Sequence, residues 1–277
     1  MKIAAILTCF NRKEKTMACL DSFLKICPDA DVYLTNDGCT DGTPQAVAAQ
    51  FPSIHIIEGS GNLFWSRGMY TAWKEAIKGN YDYYLWLNDD IELYPDFMDE
   101  LMACEQWGGG NCIISGLIAD KESHKIIYGG TDANKILYKE AMNPQEIKHM
   151  NGNVVLIPQS IVDKIGIMDP KLHHDLGDVD YGLTAIEHGF KVYTTRKAVA
   201  LGYTNNYCRV RKWNSTFCQR WKRLHSPLGS NPRINFYYRK KHFGWFNAAT
   251  YYVYLYVINL MPDWMIKMIF KDKYMDK

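Results

Sequence analysis

Short apolar runs and helically spaced apolar residues alternate along the first hundred residues. The runs are rich in β-branched and aromatic residues, which predicts buried strands over residues 3–8, 32–34, 54–57 and 83–87. After each run, apolar residues recur at helical spacing, which predicts helices over residues 15–24, 43–51, 65–77 and 95–104. This alternation predicts an α/β fold, with a mostly parallel central sheet flanked by helices.

The pattern is less regular in the second half. Strands are predicted over residues 112–118, 125–129, 153–157 and 191–195, and helices over residues 159–165 and 178–188. From about residue 205, basic and aromatic residues dominate, which predicts a helical C-terminal extension. We therefore divide the chain into a first domain, residues 1–205, and an extension, residues 206–277.

Polar clusters follow each of the first four predicted strands, at residues 8–12, 36–41, 59–62 and 88–90. In parallel α/β sheets, ligands bind beyond the carboxyl ends of the strands. Four clusters in the same position are a stronger indication of a binding site than any one of them.

The triplet Asn88-Asp89-Asp90 ends the fourth predicted strand between apolar neighbours. Placing carboxylates among apolar residues costs free energy unless they bind a cation or accept hydrogen bonds. Mg²⁺ and Mn²⁺ prefer carboxylate and phosphate oxygens, so the triplet can hold a metal that bridges a diphosphate. A polar turn with an Asx cap explains the triplet equally well.

Two further acidic segments contain candidates for chemistry. Asp37 ends the second strand, where it can accept hydrogen bonds from a base or a ribose, whereas Asp41 is explained by capping the next helix. Asp178 and Asp180 begin a predicted helix. A carboxylate there can act as the base for an acceptor hydroxyl, although acidic residues also stabilise a helix N-terminus through the macrodipole.

Composition narrows the class of protein. The net charge of +2 argues against a general nucleic-acid binder. Eight cysteines without a CxxC pair predict reduced thiols and no zinc site. The first apolar run is short and meets Asn11-Arg12 at once, so we interpret it as a strand and not as a signal peptide, and we expect a cytoplasmic protein.

In order along the chain, ILTCFNR, TNDGCTDGT, GSGNLFWSRGM, LWLNDDIEL, NGNVVLIP and GDVDYGLTAIEHGF together resemble glycosyltransferase family 2 and its GT-A fold. The similarity extends to about Tyr193, and the later stretch RWKRLHSPLGSNPRINFYYRKKH resembles the bacterial rhamnosyltransferase-like branch of surface-polysaccharide synthesis. The resemblance implies an inverting transfer of a sugar from a UDP- or dTDP-sugar to a hydroxyl of a glycan or lipid-linked acceptor.

The resemblance also implies a role for individual residues. Those expected at the nucleotide are Thr8, Phe10, Asn11, Asp37, Asn62, Arg67, Asn88 and Asp89. Asp90 is implied as the direct ligand of Mn²⁺ or Mg²⁺, and Asp178 as the catalytic base. Asn153 and Asp180 are implied to face the sugar or the acceptor.

The chain departs from the family pattern at two positions. Asn88 stands where the DxD-like motif begins with a carboxylate, and Gly177 stands where many relatives have Glu before the catalytic Asp.

The C-terminal extension combines a basic, aromatic stretch, residues 209–242, with an apolar one, residues 243–261. Asn247 and Asn259 make the apolar stretch too polar for a typical membrane span. It predicts an interfacial helix with Lys267, Lys271 and Lys273 near lipid headgroups. A helix that caps the domain or forms a homodimer contact is an equally good interpretation.

Two other classes of protein compete with a glycosyltransferase. A nucleotidyltransferase usually carries a glycine-rich phosphate loop after its first strand, and residues 8–12 contain no glycine. A non-catalytic module could bind RNA through the basic extension, but this leaves the ordered acidic clusters unexplained.

Overall fold

The computed structural model describes residues 1–204 and 208–271. The chain forms two compact units, one of Met1–Pro170 with Gly177–Thr204 and one of Lys171–Leu176 with Asn205–Lys277. The predicted boundary between residues 205 and 206, like Lys273, lies outside the described residues. The roles we expect for residues 1–205 and 206–277 stay a prediction.

The first unit alternates strands and helices as predicted. Its strands are β1 (Ile3–Cys9), β2 (Asp31–Asn36), β3 (His55–Glu58), β4 (Tyr83–Leu87), β5 (Glu92–Leu93), β6 (Cys112–Asp120), β7 (Ile126–Tyr128), β8 (Gly130–Thr131), β9 (His149–Met150), β10 (Val154–Pro158) and β11 (Lys191–Gly202). Its helices are α1 (Lys13–Ile26), α2 (Thr43–Gln50), α3 (Phe64–Ala76), α4 (Phe97–Trp107), α5 (Gln159–Ile165) and α6 (Gly177–Glu187).

Within the described residues, one sheet has the order β3-β2-β1-β4-β10-β6-β11-β5, with β7 paired to β6. The pairs β1–β2, β1–β4, β2–β3 and β6–β11 are parallel, which confirms the predicted α/β fold. The strand β10 is antiparallel to both β4 and β6. The two-residue strands β5, β8 and β9 were not predicted, because so short a segment carries no periodic pattern.

Side-chain alternation along the strands builds an apolar layer on each face of the sheet. In β1, Ala5 and Leu7 pack into one layer, whereas Ala4 and Ile6 pack into the other. Both faces are buried, which explains why the strand appears in the sequence as a continuous apolar run.

Helix α3 packs closely on the second of these layers. The Trp73 ring meets the Trp86 ring edge to face, with centroids 5.4 Å apart, and both rings are fully buried. A Cβ atom on Gly68 would lie 2.2 Å from Thr8 Oγ1, so only glycine lets the helix approach β1 this closely. This contact places the start of α3 at the carboxyl end of β1.

The second unit contains α7 (Phe217–Leu224), α8 (Pro232–Leu260) and α9 (Asp263–Phe270). Gly244, with φ of 83°, interrupts the helical geometry of α8. Arg211 is fully buried and donates to Ile258 O and Asp263 Oδ1, while Arg220 Nε donates to Asn259 O at 3.0 Å. The described helices include none that is long and apolar enough to cross a membrane.

We expect Asp263→Ala to destabilise the second unit by about 3 kcal/mol, because it leaves the buried Arg211 guanidinium without its carboxylate partner. Amide hydrogen exchange of α8 and α9 in increasing urea measures this loss. The control is Asp21→Ala, which breaks an exposed ion pair with Lys25 and should cost no more than about 0.5 kcal/mol. Equal losses in the two variants would contradict the prediction.

Candidate active site

Four loop segments meet at one edge of the sheet. Residues 10–12, 37–41 and 88–90 leave the carboxyl ends of β1, β2 and β4, and residues 151–153 enter the antiparallel strand β10. The register aligns Cys9 with Asn36, and Val154 with Leu87. The strand pairing therefore brings together segments that lie far apart in the sequence.

The two carboxylates after β4 lie in different surroundings. Asp89 is only 5% exposed, and its Oδ2 accepts a hydrogen bond from Thr16 Oγ1 at 3.0 Å. Burial raises the pKa of Asp89 to about 6, although the nearby Arg12 acts in the opposite direction. Asp90 has a partly exposed side chain and is better placed to reach a ligand.

Arg12 bridges this acidic pair. Its NH1 nitrogen lies 2.7 Å from Asp90 Oδ2 and 3.3 Å from Asp89 Oδ1. The guanidinium offsets part of the negative charge that two adjacent carboxylates place at the strand end. The role of Arg12 was not predicted, although it lies in the first polar cluster of the sequence.

Asn88 uses both ends of its amide within the protein. Its Oδ1 accepts a hydrogen bond from Trp65 Nε1 at 2.7 Å, and its Nδ2 donates to Asn153 Oδ1. Asn153 Nδ2 donates in turn to Asn151 Oδ1. A carboxylate at position 88 has no hydrogen to donate to Asn153, and this accounts physically for the first departure from the family pattern.

Residues 151–153 also contact Asp178, which lies at the N-terminus of α6. Asp178 Oδ2 accepts a hydrogen bond from the Gly152 amide at 3.0 Å, and Oδ1 accepts one from Val179 N at 2.9 Å. A Cβ atom on Gly152 would lie 2.4 Å from the Trp65 ring and 3.2 Å from Asp178 Cβ. Gly152 thus lies between Trp65 and Asp178, and residues 151–153 connect Asn88 to the candidate base.

Asp37 is buried and binds the loop that precedes α3. Its carboxylate accepts hydrogen bonds from the amides of Gly61 at 2.8 Å, Leu63 at 2.9 Å and Phe64 at 2.9 Å. A Cβ atom on Gly38 would lie 2.8 Å from Gly61 Cα, so the two loops touch. In this structure Asp37 organises the loop, and its predicted contact with a base or ribose stays a prediction.

Four other residues that are predicted to bind the nucleotide lie in β1, in the segment after β1 and in α3. Phe10 is exposed, and Asn11 adopts a φ of 51° while its Oδ1 accepts a hydrogen bond from Thr40 N at 2.7 Å. Thr8 Oγ1 donates to Thr35 O at 3.4 Å, and Arg67 Nε donates to Pro170 O at 3.0 Å. Their contacts with a nucleotide stay a prediction.

Asn62 and Asp180 differ in exposure. Asn62 is exposed in the loop before α3, whereas Asp180 is 2% exposed in the first turn of α6. Asp180 is buried, whereas Asp178 is only partly buried. Asp178 is therefore the more accessible of these two carboxylates.

The oxygen donors fit a divalent cation only in combination with a ligand. The described part of the chain contains no group of three or more His, Cys, Asp or Glu residues that could hold a metal. The partly exposed carboxylate of Asp90 is a hard donor, of the kind that Mg²⁺ and Mn²⁺ prefer. Diphosphate oxygens would have to complete the coordination.

Comparison with known proteins adds two curated relatives. The chain is 22% identical over 182 residues to N-acetylglucosaminyl-diphospho-decaprenol L-rhamnosyltransferase of Mycobacterium tuberculosis, covering 54% of this chain and 59% of that protein. It is 27% identical over 177 residues to galactofuranosyltransferase GlfT2 of the same species, covering 54% of this chain and 28% of that protein. The chain thus spans less than two thirds of the length of either relative.

Two solved structures share the fold. The structure of S. aureus TarS 1–349 in complex with UDP matches with a TM-score of 0.54 and 14% identity, over 74% of this chain and 61% of that one. Mannosyltransferase PcManGT from Pyrobaculum calidifontis, in complex with GDP-Man and Mn²⁺, matches with a TM-score of 0.54 and 12% identity, over 96% of this chain and 78% of that one. These likenesses confirm the GT-A fold.

The family model described as glycosyl transferase family 2 matches residues 4–150, a span that begins within β1 and includes β2, β3, β4 and the Asn88-Asp89-Asp90 triplet. With more than half of the sequence matched and the fold in agreement, the chain belongs to glycosyl transferase family 2.

Proposed function

We propose that the protein is an inverting glycosyltransferase that moves a sugar from a UDP- or dTDP-sugar to a hydroxyl of a glycan or lipid-linked acceptor in bacterial surface-polysaccharide synthesis. One observation carries this proposal: the bridge from Asn88 through residues 151–153 to Asp178 connects the acidic pair to a candidate base. An inverting transfer needs both a diphosphate site and a base.

The relatives support the choice of substrates. One is named for L-rhamnosyl transfer to N-acetylglucosaminyl-diphospho-decaprenol, which is a lipid-linked acceptor. One neighbouring structure contains UDP, and another contains a nucleotide sugar with Mn²⁺. These names favour a nucleotide-sugar donor and a divalent cation for this chain.

In the proposed mechanism, the exposed ring of Phe10 offers a stacking face for the base, and Asn11, Asn62 and Arg67 approach the nucleotide. Asp90 would hold Mn²⁺ or Mg²⁺, and the bound cation would supply positive charge to offset the negative charge of the leaving diphosphate. Arg12 limits repulsion between the acidic pair and the donor.

Asp178 completes the reaction in this mechanism. Its carboxylate takes the proton from the acceptor hydroxyl while that oxygen attacks the anomeric carbon on the face opposite the diphosphate. The bond between the anomeric carbon and the diphosphate oxygen breaks, and the nucleoside diphosphate leaves with the bonding electron pair. The Gly152 amide holds Asp178 Oδ2 in position throughout.

We also propose that the C-terminal unit makes a peripheral contact with the inner face of the cell membrane, where a lipid-linked acceptor would be met. A homodimer contact is the alternative role for this unit. A function in RNA binding is not favoured, because it does not use the bridge between the acidic pair and Asp178.

Calorimetric titration of the protein with UDP, dTDP and GDP, with and without Mn²⁺, tests donor binding directly. We expect binding of UDP or dTDP that Mn²⁺ strengthens. Asp90→Asn should weaken the Mn²⁺-dependent binding by about tenfold or more, because it removes the proposed metal ligand. The control is Asp29→Asn, at an exposed carboxylate that precedes β2. Failure of all three nucleotides to bind would contradict the proposal.

Asp178→Asn should lower kcat by about 10²- to 10⁴-fold with little change in the donor KM, because the amide keeps the shape but cannot accept the proton. Nucleotide release from the donor that binds, with a hydroxyl acceptor, measures this effect. Asp163→Asn, in α5, is the matched control and should retain full activity. Near-normal turnover of Asp178→Asn would show that the base lies elsewhere.

Asn88→Asp should lower kcat by about tenfold or more, although it creates a more typical acidic motif. The carboxylate loses the hydrogen bond to Asn153 and places a third negative charge beside Asp89 and Asp90. The rate of transfer and the affinity for UDP with Mn²⁺ are measured together. A variant with normal kcat and tighter metal-dependent binding would mean that Asn88 serves only as a weaker version of the usual carboxylate.

A further inference from the structure

The second half of α8 is apolar on both sides. Its inner side buries Ala248, Leu255 and Ile258, and Ile258 packs with Ile266 of α9. Its outer side exposes Phe246 at 77%, Val253 at 60% and Leu260 at 59%. A helix that is apolar all round is normally buried on all sides. An exposed apolar side of this kind is typical of a surface that binds a protein or a membrane.

The exposed apolar residues of α8 form a stripe, and α9 adds two more. Phe246, Thr250, Val253, Val257 and Leu260 follow each other at steps of three or four residues, which places them on one face of the helix. In α9, which begins after a break at Met261 and Pro262, Trp264 and Met268 are 67% and 70% exposed and lie four residues apart on one face of that helix. We call these seven residues the outer stripe.

The surroundings of the outer stripe are strongly basic. Residues 208–271 contain twelve lysines and arginines and one carboxylate side chain, Asp263, which is paired with Arg211. Lys240 and Lys241 are exposed just before the stripe, and Lys267 and Lys271 are exposed around its end. A partner of this surface must therefore combine apolar material with negative charge.

A membrane surface with anionic headgroups meets both requirements. Apolar and aromatic side chains enter the boundary between headgroups and acyl chains, while lysines remain at the level of the phosphates. A second copy of this chain meets the requirements poorly, because it would bring an equally basic unit against the first.

We infer that the outer stripe of α8 and α9 docks the protein on an anionic bilayer surface, with its apolar side chains inserted and with Lys267 and Lys271 among the headgroups. This inference deepens the membrane contact in the proposed function and does not depend on the transfer reaction.

The test is co-sedimentation of the full chain with vesicles of phosphatidylcholine alone and of phosphatidylcholine with phosphatidylglycerol. We expect binding to the anionic vesicles that weakens as salt is raised. Trp264→Glu/Met268→Glu should weaken binding by about tenfold or more, because burial of one large apolar side chain is worth about tenfold in affinity. Lys267→Gln/Lys271→Gln should reduce both the affinity and its salt dependence.

The matched control is Ile136→Glu/Met142→Glu, which places two carboxylates at exposed apolar positions of the first unit and should bind as the unchanged protein does. Circular dichroism checks that each variant is folded. Light scattering measures the molar mass of each variant without vesicles.

The inference is overturned if the unchanged protein ignores anionic vesicles, or if the stripe variant binds them as well as the control does. It is also overturned if the unchanged protein is a dimer that the stripe variant dissociates, because a second copy would then cover the stripe. Titration of the same samples with UDP and Mn²⁺ separates these outcomes from a failure of the proposed transferase function.

Discussion

The antiparallel pairing of β10 with β4 is the constraint on which the geometry of the candidate site depends. Opposite directions bring the entrance of β10 beside the exit of β4, and Asn88 N donates to Asn153 O at 2.9 Å directly beyond the paired strands. The side-chain bridge between Asn88 and Asn153 extends the same ladder. The Gly152 amide then donates a hydrogen bond to Asp178 Oδ2. The pairing of β10 with β4 therefore fixes where the Asp178 carboxylate lies.

Much of this arrangement could be predicted from the sequence. The buried runs that form β1 to β4 and the polar residues after them indicated a site at one sheet edge, because parallel strands place their carboxyl ends together. The direction of β10 could not be predicted, because an apolar run of five residues looks the same whether its partners are parallel or antiparallel. The partners of Asp37 were also beyond prediction, because backbone amides leave no residue pattern.

Charge explains why a family member with Asn88 remains compatible with a metal. The strand end already holds two carboxylates, and Arg12 supplies one positive charge against them. A diphosphate would bring more negative charge to the same edge, which a further cation must offset. A third carboxylate at position 88 would strengthen a metal site but would lose the donor to Asn153. The amide of Asn88 therefore keeps the hydrogen bond that leads to Asp178 and does without a third carboxylate beside Asp89 and Asp90.

In the C-terminal unit, the inner side of α8 contributes to the fold, whereas its outer side is exposed. The carbonyl groups in the last turn of a helix lack partners in the helix itself. At the end of α8, the Ile258 and Asn259 carbonyls accept hydrogen bonds from Arg211 and Arg220, two buried guanidinium groups. These bonds, with the packing of Ile258 against Ile266, stabilise the end of the helix. The exposed apolar side of α8 adds nothing to this core, which is why we infer that it serves a contact and not the fold.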